Sequence, residues 1–106
     1  VRLDGISLLT LYQEALTTVR RMRPIAQLVC ISKSCALYQP GVVHCKNIGG
    51  SGTDVDWKCE ADLPSSLRYG NVEVGCEGWN GPGDPYVLKG SCSLKYHLVQ
   101  LPASHR

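Results

Sequence analysis

Phenylalanine is absent from the chain and methionine occurs once, so an apolar core has to be assembled from Leu, Val, Ile, five Tyr and two Trp. Charge does not lean far either way. Eleven Lys and Arg against nine Asp and Glu leave +2, a balance too small and too dispersed for a polyanion, and nucleic acid drops out of the expected partners. No apolar run approaches the ~20 residues that a membrane helix needs. There is no C-x-x-C, so neither a thioredoxin-type redox pair nor a zinc knuckle has its usual spacing. Asn-x-Ser/Thr acceptors are missing too, because Asn47, Asn71 and Asn80 lack the hydroxyl two positions on. The chain opens at Val1 without a Met or a charged, apolar leader, which sets the expectation that any signal peptide has already been removed.

Cysteine, by contrast, is plentiful. Cys30, Cys35, Cys45, Cys59, Cys76 and Cys92 are an even set spread along 106 residues. They read as three disulfides formed in an oxidising compartment, and hence as a chain that once carried a secretory leader. The length corresponds to a single domain, 1–106, with a core over about residues 6–99 and a flexible tail at 100–106.

Periodicity supplies the elements. In DVDWKCEA, Val55, Trp57 and Cys59 share one face while Asp54, Asp56, Lys58 and Glu60 share the other, the pattern of a strand with one side on a core. NVEVGCEG repeats it with Val72, Val74 and Cys76 inward, and VVHCKN and YVLKGSCSLKYHL are further strands. GGSGT, LPSSLRYG and WNGPGDP separate these runs as turns, so the expected class is antiparallel all-β. PIAQLVC is a short strand following Pro24, and ISKSCALYQPG is a loop. Before Pro24 two readings stay open. Leu8, Tyr12, Ala15, Leu16, Val19 and Met22 fall at helical spacing, whereas Thr10, Thr17, Thr18 and Val19 favour an extended chain.

Six cysteines allow 15 pairings. A hairpin through Leu63–Gly70 would bring Cys59 to Cys76, which is the favoured bridge. Cys30 with Cys35 then closes a short loop and Cys45 with Cys92 a long one, so Cys76 and Cys92 are expected to bond elsewhere rather than to each other.

Candidate chemistry is sparse. His44 follows the wrong strand parity to serve Cys45, His97 lies in a strand and His105 in the tail. Asp54 and Asp56 lack the further oxygen ligands of a calcium loop. Gly49, Gly50 and Gly52 are too closely spaced for a dinucleotide fingerprint. Glu60, Asp62, Glu73, Glu77 and Asp84 cannot be placed across a cleft by spacing. No catalytic residue, metal ligand or cofactor is therefore assigned, and the expectation is a non-enzyme. Arg20, Arg21 and Arg23 form the one basic cluster, suited to an acidic partner or lipid headgroups, or simply to a solvated edge that deters strand pairing. Trp79, beside a Gly- and Pro-rich bend, is the residue to test for binding.

Together these segments carry a family likeness. From about Leu8 to Leu98, the stretch LTLYQEALTTVRRMRPIAQLVC, Cys35, VVHCKNIG, TDVDWKCEADL, VEVGCEGW and YVLKGSCSLKYHL resemble the luminal domain of the store-operated calcium entry-associated regulatory factor family. These are endoplasmic reticulum membrane proteins. The resemblance implies a disulfide-stabilised antiparallel β-sandwich, which favours strands over a helix before Pro24. It also implies a non-catalytic role in restraining store-operated calcium entry by promoting inactivation of the calcium sensor and channel system, with the reticulum calcium sensor as partner. Family members continue into a transmembrane helix and a cytosolic tail, whereas this sequence stops at LPASHR. The expectation is therefore a luminal fragment, with membrane attachment only through that absent helix. The alternative is a secreted relative acting as a disulfide-rich module that recognises protein or carbohydrate through the Trp79 loop. An exposed β-edge also offers a route to a homodimer by strand exchange.

Overall fold

A computed structural model describes residues 1–102. Six strands, β1 (Leu8–Tyr12), β2 (Leu28–Cys30), β3 (Val42–Ser51), β4 (Asp54–Glu60), β5 (Leu67–Gly75) and β6 (Ser93–Gln100), are accompanied by 3-10 turns at Leu3–Gly5 and Lys33–Ala36. They form two three-stranded sheets, ordered β1-β3-β4 and β2-β6-β5. Every pairing is antiparallel except β2 with β6. There is no α-helix among the described residues, nor one long and apolar enough to cross a membrane.

The hairpin β3–β4 follows from alternation. Val43 and Cys45 turn inward and are fully buried, while Val42, His44 and Lys46 face water, and half-buried Val55, Trp57 and Cys59 line the same side from β4. The ladder slips one residue between Asn47 and Gly49. Asn47 secures this bulge: its Oδ1 accepts from Gly49 N–H at 2.9 Å, and its Nδ2 donates to the Asp4 and Ile6 carbonyls at 3.2 and 3.0 Å. Gly50, at φ 118°, is required next to it, because a Cβ there would run into the Asp54 carbonyl.

Leu11, Leu28, Val43, Cys45, Leu67, Leu94, Tyr96 and Leu98, drawn from both sheets, form one buried cluster. Burial of each large apolar side chain stabilises by roughly 1.5–3 kcal/mol. With no Phe available, Tyr96 takes the centre, fully buried and edge-on to Tyr69 at 5.7 Å. Both phenol oxygens are buried without a hydrogen-bond partner among the described residues, and burial pushes both pKa values up. The core accepts this polar burden in exchange for aromatic volume.

Before Pro24, β1 is the only strand, preceded by the 3-10 turn at Leu3–Gly5. Residues 13–27 run irregularly, returning through a bridge between Leu16 and Ala26, and Thr17 is tied to Ile25 by its N–H and by its Oγ1. Helical spacing there is incidental: Leu16 and Met22, two of its apolar positions, are exposed. Outside the expected core, Leu3 is buried, Gln100 pairs with Leu67, and Leu101 N–H donates to the Ser66 carbonyl at 2.7 Å. Residues 103–106 of the expected tail, His105 included, lie outside the described residues.

The disulfides correct two expected pairings. Cys30 bonds Cys35, Cys45 bonds Cys59, and Cys76 bonds Cys92. The expected β4–β5 hairpin does not form, because the chain from 61 to 66 crosses from one sheet to the other. Cys59 instead stands directly opposite Cys45 in the β3–β4 register, with Cα atoms 3.9 Å apart. Cys76 and Cys92 continue the β5–β6 ladder just beyond the Gly75–Ser93 pair, at 4.0 Å. Neither expected partner pair is made of strand neighbours.

Candidate functional site

The Cys76–Cys92 bridge closes the base of the loop that joins β5 to β6. Within it the chain doubles back: Gly78 bridges Val87, Trp79 N–H donates to the Tyr86 carbonyl at 2.8 Å, and Leu88 N–H donates to the Glu77 carbonyl at 2.9 Å. Asp84 holds the tip, its carboxylate accepting from Asn80 and Tyr86 N–H at 3.0 Å each. Those two donors, Tyr86 foremost, hold the Asp84 carboxyl below its ordinary pKa. Gly78 has to be glycine, since a Cβ would collide with the Gly81 carbonyl. Ser91 braces the base, its hydroxyl accepting from Glu77 N–H at 2.9 Å and donating to the Leu88 carbonyl at 2.6 Å.

Glu77 is the organising residue. It is only 4% exposed, yet carries a carboxylate. Its Oε1 accepts from three successive backbone N–H groups, those of Arg20, Arg21 and Met22, at 3.2, 3.3 and 3.2 Å. Burial alone would raise its pKa, but these three donors and the Arg21 charge outweigh it and hold the carboxyl below its ordinary value. The result is a clamp on an otherwise irregular segment. Arg20 and Arg21 are thereby laid against the loop: the Arg20 guanidinium stacks 4.1 Å over the Trp79 ring and donates to the Trp79 carbonyl at 3.3 Å, and Arg21 donates to the Gly78 carbonyl.

Beside the clamp lies a cavity of about 190 Å³. Val19, Met22 and Ile25 supply apolar wall, and Arg23, Glu73 and Lys95 supply charge. Thus Arg20, Arg21 and Trp79, singled out separately in the sequence, are brought into one cluster, while Arg23 joins the neighbouring cavity. Glu77 was visible in the sequence only as one of five carboxylates; its place between Cys76 and Gly78, beside a bridged cysteine, was the available signal.

The other candidates remain apart. Asp54 and Asp56 are exposed on the outer face of β4, Glu60 pairs with Lys58 at 3.8 Å, and His44 Nδ1 meets Thr10 Oγ1 at 3.1 Å on the outer face of β3. Among the described residues no group of three or more His, Cys, Asp and Glu is placed to hold a metal ion.

Comparison with known proteins gives a consistent result. A family model described as SOCE-associated regulatory factor of calcium homoeostasis matches residues 1–106. Proteins named store-operated calcium entry-associated regulatory factor from Danio rerio and Xenopus tropicalis are each 49% identical over 100 residues, 92% of this chain. That from Xenopus laevis is 48% identical over the same share. The chain spans 29%, 31% and 33% of these relatives, respectively.

Proposed function

The chain belongs to the family of SOCE-associated regulatory factors of calcium homoeostasis, and from that premise we propose that it is the luminal module of a reticulum membrane protein that restrains store-operated calcium entry. The match of the family model along residues 1–106 is the observation that carries this reading. Its activity is non-catalytic: the module acts through contacts, with the reticulum calcium sensor as the partner of the whole protein and a strand-exchanged homodimer as its own assembly. Three disulfides suit the oxidising lumen, and the free edges β1, β4, β2 and β5 suit strand exchange.

The calcium assignment is tested in cells expressing the full-length reading frame, with cytosolic calcium followed after store depletion. Faster or deeper inactivation of entry is expected; unchanged entry with and without the protein refutes it. Sedimentation showing only monomer at high concentration removes the homodimer. The alternative is a secreted module recognising protein or carbohydrate through the Trp79 loop; its carbohydrate form has the weaker support, since Arg20 already covers one face of the indole. Reading the downstream coding frame for an apolar stretch of ~20 residues separates the two.

A further inference from the structure

We infer that the arginine segment, Trp79 and the adjoining cavity form one docking surface for an acidic polypeptide segment carrying an aliphatic side chain. Arg20, Arg21 and Arg23 are all exposed, and none of them takes part in a salt bridge among the described residues. The carboxylate closest to them in function, Glu77, is buried and directed to backbone N–H groups, so it does not occupy their outer faces. At the cavity, Glu73 stands directly opposite Lys95 in the β5–β6 register and offsets it, and the other carboxylate of the lining, Glu77, is buried, which leaves Arg23 without an exposed carboxylate besides Glu73 among the described lining residues. With Asp84, whose carboxylate feels the Arg21 charge, the surface sets Arg20, Arg21, Arg23 and Lys95 against Glu73, Glu77 and Asp84, an excess of one positive charge that is carried on exposed guanidiniums and is complementary to carboxylates.

It is also apolar where a partner would need to be anchored. Met22 is 59% exposed, Ile25 44% and Trp79 45%, and Met22 and Ile25 also wall the cavity. A volume of about 190 Å³ admits a single aliphatic side chain. Arg and Trp are the residue types on which binding energy concentrates, and here both are held before any partner arrives, by the Glu77 clamp and the Arg20–Trp79 stack. A lipid surface is the competing occupant. The folded-back arrangement disfavours it: Arg20 and Arg21 are turned onto the loop carbonyls rather than extended toward a plane.

This deepens the reading of the chain as a contact module by naming the chemistry of what it contacts. The test measures binding of a fluorescent peptide alternating Glu and Leu to the purified full-length protein, against the same peptide with Gln for Glu and against vesicles containing anionic phospholipid. Expected are saturable, salt-sensitive binding, at least ~10-fold weaker for the Gln peptide, and a loss of ~10-fold or more in Arg23→Glu and Met22→Asp with unchanged melting. Arg23→Lys retains most of the affinity. Equal binding of the Gln peptide, wild-type affinity in Arg23→Glu, or vesicle binding as tight as peptide binding would each overturn the inference. Should Met22→Asp fail to fold, the exposed Arg23 pair carries the test alone. Peptide binding is read on purified protein and calcium entry in cells, so either reading can fail without the other.

Discussion

Replacing Cys76 and Cys92 together by Ala isolates the contribution of one cross-strand bridge. The bridged residues are 16 apart in sequence, and closing a loop of that length removes denatured-chain entropy worth ~3 kcal/mol at 25 °C. An unfolding entropy of about 2.1 cal/mol/K per residue gives roughly 220 cal/mol/K for a chain of this length, so the expected fall in melting temperature is ~14 °C. Cys45 and Cys59, 14 apart, give nearly the same entropic loss of ~3 kcal/mol. Because Cys45 is fully buried, its truncation adds a cavity, and this pair should lose more. Cys30 and Cys35, only 5 apart, should lose the least, ~2 kcal/mol or ~9 °C. Calorimetry of the three double variants tests the ranking, and non-reducing peptide mapping tests the connectivity beneath it. A Cys59–Cys76 peptide, or a Cys76/Cys92 variant melting within ~3 °C of wild type, would refute the reasoning.

Three further outcomes follow from single side chains. Leu94→Ala, at a fully buried core position, should lower the urea-unfolding free energy by about 2–5 kcal/mol with little change in m. Ser91→Ala strips the hydroxyl that bridges two backbone groups at the loop base, and should cost about 1–3 kcal/mol by the same assay. The Glu77 carboxyl, like Asp4 at about 2 and Asp84, is depressed in the folded state. The unfolded chain therefore binds protons first as pH falls, so the stability these groups contribute is full above their ordinary values of 4.5 and 3.8 and is lost as pH drops through the folded ones. Melting temperature followed across that acid range should descend less steeply in Glu77→Gln, with the slope from Asp4 and Asp84 remaining; an identical slope would sink the clamp.

Strands whose two faces differ in chemistry were legible. Val55, Trp57 and Cys59 alternate with charged neighbours, and β4 is where that pattern put it. What could not be read was which strands lie side by side. Consecutive strands usually pair, and that rule turned β4 and β5 into a hairpin and carried Cys59 to Cys76 with it. In the fold, residues 61–66 change sheets, and the turn they contain, closed by Leu67 N–H on the Pro64 carbonyl at 3.0 Å, leads β5 away from β4 instead of folding it back. Before Pro24, the competing helical and extended patterns resolved into neither in full, since residues 13–27 are held partly by hydrogen bonds among themselves, Thr17 to Ile25 and Gln27 to Ala15, and partly by bonds to distant loops at Gly41, Glu77 and Gly90.

The candidate site shows the same division at finer scale. Asn, Gly, Asp and Pro in the loop between Cys76 and Cys92 declare a bend, and the bend is real. Turn chemistry alone, however, would leave Trp79 on an isolated tip. Glu77 changes that by capturing backbone donors 55 to 57 residues away, and a contact that remote has no signature in spacing. The captured segment brings two guanidiniums, one of which stacks on the indole. Because the bridge at Cys76 and Cys92 fixes the backbone from which Glu77 projects, and Cys76 also lines the adjoining cavity, surface and scaffold are not separable: opening that disulfide should release the arginine segment and weaken any binding at Trp79.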